Sequence, residues 1–93
     1  MSEKYNGYTH LNVDENDNYA IVEALGEYAE ANVGDFAVVV KAGELKIFVE
    51  GHLYVNNRGG QGELDNIKVI EGALSEEDQE EIKNEFESYV SWS

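Results

Sequence analysis

The sequence predicts an α+β fold, an antiparallel sheet of three to four strands with two helices in the order (β)αβββ(β)α. Three observations predict it. Apolar residues recur at helical spacing over residues 17–34 and again over 71–93. Between these stretches the period drops to two, with Leu45, Ile47 and Val49 alternating against Lys46, Phe48 and Glu50. Glycines then interrupt the alternating stretch wherever short strands need to turn, in a chain that contains no proline. At 93 residues the chain is expected to form a single acidic α+β domain, 1–93, and its 42% hydrophobic content is enough to build a core.

Taken in order, Tyr8–Val13 alternates weakly and is a candidate edge strand. In residues 17–34, Asp17 or Asn18 can cap a helix start, and Gly34 lies just past its end. Ile21, Leu25 and Tyr28 share one face of that helix, with Ala24 and Ala29 at the margins. Gly26 runs against it, since glycine inside a helix costs ~1 kcal/mol relative to alanine. Phe36–Val40 is short and β-branched, and Ala42-Gly43 signals a turn into Leu45–Glu50. Gly51 is expected to turn the chain again into His52–Val55, Asn56–Gly62 to be a loop, and Ile67–Ile70 to add a strand. Near the C-terminus, Ser75 caps a helix whose first turn holds Glu76, Glu77 and Asp78, where the helix dipole favours acids. Ile82, Phe86, Tyr89 and Val90 form its apolar stripe.

Charge is distributed unevenly along this plan. The chain has 20 acidic and 6 basic residues, for a net charge of −14. Residues 17–35 carry net −5 and residues 71–93 net −7, whereas residues 36–70 balance to zero. The excess therefore sits on the helices. On a helical wheel Glu23, Glu27 and Glu30 lie opposite the first apolar stripe, and Glu77, Glu80, Glu81 and Glu87 opposite Ile82 and Phe86. Like charges one turn apart destabilise a helix by roughly 0.2–0.5 kcal/mol per pair. With both helices on one sheet face, these carboxylates would form a continuous acidic surface able to stand in for a phosphate backbone.

Such a surface is complementary to a basic groove built for DNA or RNA. The expected function is accordingly non-enzymatic: an inhibitor whose partner is a basic nucleic-acid-binding protein or nuclease complex, with the seven glutamates as its contact set. In size and composition the chain resembles the small acidic inhibitors that phages and plasmids encode against CRISPR or restriction enzymes, and equally the acidic immunity proteins that block nucleases. That resemblance is compositional, spans the whole chain and assigns no residue a role. Two other readings stand beside it. One is a protein-interaction module or homodimer that uses Phe48, His52 and Tyr54, which share the sheet face opposite Leu45, Ile47, Val49, Leu53 and Val55 unless Tyr5, Tyr8 and Leu11 fold over them. The other is an acidic surface that serves only solvation, as in adaptation to high salt.

Several further signals weigh less. Direct nucleic-acid binding is not expected at this charge, because a phosphate backbone is held by Lys and Arg. Arg58-Gly59-Gly60 is a lone Arg-Gly unit best read as a loop. The element order is similar to that of double-stranded RNA-binding modules, but the positions that would need lysine are acidic. Asn12–Glu23 places Asn, Asp, Asn and Glu at four positions of a calcium loop but has Asp17 where glycine is required, so a capping loop is the better reading. His10 and His52 have no neighbours at metal-ligand spacing, and with no cysteine there is neither a disulfide nor a thiolate site. No cofactor, metal or catalytic residue is therefore expected. No apolar run approaches a bilayer span, and the N-terminus lacks an apolar signal region, so a cytoplasmic monomer or dimer is expected. Trp92 can pack on the core edge or anchor a partner.

Overall fold

A computed structural model describes Tyr5 and residues 7–91. The elements are β1 (Thr9–Val13), α1 (Asn18–Ala31), β2 (Gly34–Ala42), β3 (Leu45–Asn56), β4 (Gly59–Glu71) and α2 (Glu76–Val90). This is an α+β fold, with one four-stranded sheet in the order β1-β2-β3-β4. The β2–β3 and β3–β4 pairs are antiparallel, but β1 pairs with β2 in parallel. The sheet is thus mixed, because α1 carries the chain from the end of β1 back to the start of β2 as a crossover.

Both helices begin as their sequences dictate. Asp17 accepts a hydrogen bond from the Ala20 N–H at 3.2 Å, and Ser75 accepts one from the Asp78 N–H at 3.1 Å. Ile21, Leu25 and Ala29 of α1, with Ile82, Phe86 and Val90 of α2, point into the core. There they meet Phe36, Val38 and Val40 of β2, Leu45, Ile47, Val49 and Leu53 of β3, and Leu64 and Ile67 of β4. The unbroken apolar run in β2 has a simple cause: its other face is covered too. Val39 and Phe48 pack there beneath Tyr5, in a second, smaller core flanked by Ala37 and Ile70.

The structure revises the sheet in three places. Gly51 is no turn, and β3 runs straight through it as one twelve-residue strand. A β-bulge occurs there instead: Glu50 pairs with Asn66 and Gly51 with Leu64, which leaves Asp65 as the extra residue. A Cβ on Gly51 would lie 2.7 Å from the Glu63 carbonyl oxygen and 2.9 Å from Phe36 Cζ, so glycine serves close strand approach rather than chain reversal. The expected Asn56–Gly62 loop contracts to a turn at Asn57 and Arg58, with its glycines already in β4. Val55, expected to face the helices, is 47% exposed. Its partner Gly60 lies beyond Gly62, which is the glycine that packs beneath Val90 at the end of α2.

Candidate functional site

The helices lie side by side and parallel. Near their starts, Asn18 Nδ2 donates to Asp78 Oδ1 at 3.1 Å and to Glu81 Oε1 at 3.0 Å. Farther along, the Tyr89 ring of α2 packs directly on Gly26 of α1, where any Cβ would overlap it. This contact explains a glycine that helix propensity disfavours. Between the two clamps runs an open groove of ≈ 390 Å³ lined by Tyr19, Val22, Asn84, Glu85, Ser88 and Tyr89. Tyr19 and Tyr89 give it an aromatic floor, and Tyr19 is 58% exposed.

Glu85 lines this groove, whereas Glu23 and Glu27 line a separate hollow of α1 together with Asp14 and Glu15. Glu23, Glu27 and Glu30 are exposed along α1, and the Tyr89 hydroxyl feels all three. Burial raises the Tyr89 pKa above 10.0, and the charges of Glu30, Glu23 and Glu27 add to the rise. At the N-terminal end Asp17, Asp78, Glu81 and Glu85 gather around Asn18 and Tyr19. The seven predicted glutamates are all exposed, but they do not all share one flank. Glu81 faces α1. Glu77 and Glu80 line a separate hollow on α2 with Glu76, Gln79 and Lys83. Glu87 lies two residues past Glu85, about 200° around the helix, and so points away from α1.

Asp78 and Glu85 belong to the interhelical face although the wheel did not select them. Their placement follows from the parallel packing of α2 on α1, which no periodicity within α2 encodes. Among the described residues no Lys or Arg forms an ion pair, and His52 Nδ1 lies 3.1 Å from Asp65 Oδ2. The helical carboxylates are thus left without a Lys or Arg partner among the described residues.

The opposite sheet face is only partly open. Phe48 is 8% exposed and is covered by Tyr5 and Tyr8, whose rings lie 5.1 Å and 4.9 Å from it. It is therefore a core residue rather than an exposed anchor. Leu11 does not join this cover and packs on the helix side. Farther along the same face, Tyr54 is exposed, stacks on His52 at 5.0 Å, and donates to Asp35 Oδ1 at 2.9 Å. That hydrogen bond, and then the charge of Asp35, raise the Tyr54 pKa above 10.0.

The remaining signals resolve locally. Asn12 lies in β1 and Glu23 in the second turn of α1, so the calcium-like segment is no loop and cannot wrap an ion. His10 is exposed and bonds the Tyr8 carbonyl at 2.9 Å. Trp92 falls outside the described residues. Among the described residues no helix is long and apolar enough to cross a membrane. Comparison with protein-family models, with curated proteins and with solved structures found no match.

Proposed function

We propose that this protein acts by binding another protein, presenting the acidic faces of α1 and α2 to a basic groove that otherwise holds DNA or RNA. The observation that supports the reading is the exposed acidic helix pair with no Lys or Arg partner among the described residues. Charges already neutralised within the molecule attract nothing. Unneutralised rows at one-turn spacing raise the encounter rate with a cationic surface and exclude the polyanion that belongs there. The contact set centres on Glu23, Glu27 and Glu30 with Glu81 and Glu85. Glu77, Glu80 and Glu87 extend it around α2. Tyr19 and Tyr89 add apolar area at the centre, where fields alone give little affinity.

The competing sheet-face module loses its main anchor, because Phe48 is buried under Tyr5 and Tyr8. Affinity capture with the wild-type chain and with a Glu23→Lys/Glu27→Lys/Glu30→Lys variant tests the proposal. The expected result is retention of nucleic-acid-binding proteins that duplex DNA displaces, that the triple variant does not retain, and that 1 M salt releases as the Debye length falls to about 3 Å. Capture that survives both the reversal and the salt refutes it. Single Glu→Ala changes should shift binding by only ~0–1 kcal/mol each.

A further inference from the structure

The β3–β4 hairpin brings together donors that lie far apart in sequence. His52 pairs across the ladder with Glu63, and the bulge leaves the extra residue Asp65 beside them on the outer face. One donor atom from each of His52, Glu63 and Asp65 lies within 4.8 Å of the others. His52 Nδ1 and Asp65 Oδ2 are 3.1 Å apart. At tetrahedral angles, metal–ligand bonds of about 2.0–2.2 Å set neighbouring ligand atoms about 3.3–3.6 Å apart, so this pair stands within a few tenths of an ångström of coordination spacing. We propose that His52, Glu63 and Asp65 form a binding site for a divalent transition-metal ion of the zinc type.

The donor chemistry selects the ion. An imidazole nitrogen favours zinc and its neighbours over magnesium or calcium, which prefer all-oxygen shells. Two carboxylates balance the ion's charge, and three protein ligands leave a fourth position for water or for a group supplied by a partner. The surroundings fix the histidine in place. Tyr54 stacks on its ring, and the Tyr54 hydroxyl is tied to Asp35, itself the cross-strand partner of His52. His52 is only partly exposed while both carboxylates reach solvent, which gives an ion an open approach. The site lies on the opposite side of the sheet from the helical acids, so it neither requires nor depends on the proposed partner surface.

The test is calorimetric titration of zinc sulfate into the full chain, with manganese and calcium chloride as comparison ions. The site predicts one saturable zinc per chain, weakened at least about tenfold by His52→Ala and again by the near-isosteric Asp65→Asn. It also predicts that a Glu23→Gln/Glu27→Gln/Glu30→Gln variant binds zinc as wild type does. NMR of the ring protons should show His52, and not His10, shifting at substoichiometric zinc. Zinc binding that is insensitive to His52→Ala overturns the proposal, as does the absence of any saturable site. Calcium binding as tightly as zinc would equally overturn it, since that is how a diffuse acidic surface condenses ions.

Discussion

Replacing Gly51 with alanine separates a strand glycine from a turn glycine. The new Cβ would sit 2.7 Å from the Glu63 carbonyl oxygen, 2.9 Å from Phe36 Cζ and 3.0 Å from Leu64 Cδ2. Carbon atoms pack best about 3.5–4.0 Å apart, so the methyl is too close to its carbon neighbours by roughly 0.5–1 Å. The carbonyl belongs to the backbone of β4, and Phe36 is buried against Phe86, so neither can swing clear. Overpacking of this kind costs about 1–3 kcal/mol. Alanine recovers about 0.5–1 kcal/mol through lower backbone entropy in the unfolded chain. The balance is a loss of about 0–2.5 kcal/mol, about 1 kcal/mol at mid-range, and a domain of this size loses about 4–8 °C in Tm per kcal/mol. Urea and thermal melts followed by far-ultraviolet circular dichroism measure it. A Gly51→Ala chain more stable than wild type would refute the close-approach argument. A well-tolerated Gly51→Asn would restore the turn, since asparagine suits turns and not a crowded strand interior.

Two further outcomes follow from the helix clamp and the phenols. Gly26→Ala should destabilise wild type by about 1 kcal/mol or less, because displacing the Tyr89 ring outweighs the gain in helix propensity, yet it should stabilise a Tyr89→Ala background by ~1 kcal/mol; a double-mutant cycle in urea measures the coupling, and additive effects would remove the clamp. Tyr54 and Tyr89 both have folded pKa values raised above 10.0, so folding favours their neutral forms. The stability they contribute is present below the unfolded value and is lost as pH rises through the folded values. The urea midpoint should therefore fall above about pH 10, and less so in Tyr54→Phe.

Much of this architecture was legible from local pattern. Asp17 and Ser75 mark the helix starts, and Ile21, Leu25, Ile82 and Phe86 mark the buried stripes, because caps and 3.6-residue periodicity are short-range properties. Gly51 and Gly62 misled for the same reason: a glycine needed for turning and one needed for close packing look alike until the neighbouring element is known. The parallel pairing of β1 depends on how α1 crosses over, which the six residues Tyr8–Val13 do not encode. At the candidate site, the concentration of charge on the helices was readable by simple counting. The side of α2 that carries Glu85 rather than Glu87 toward α1 was not. The His52–Glu63–Asp65 grouping required both the two-residue turn at Asn57-Arg58 and the bulge, each of which moves the strand register by a residue or more.

Among the described residues β4 is the last strand of the sheet, and its thirteen residues of outer edge are long enough to template the addition of a second chain. Its register breaks twice against β3, between Lys46 and Ile47 and between Glu50 and Gly51. Each break twists the strand and interrupts the even spacing that an incoming strand must match, while Glu63, Asp65, Lys68 and Glu71 stand exposed along it. The bulge that gathers the histidine and its carboxylates therefore also makes this edge a poorer template for fibre-like self-association.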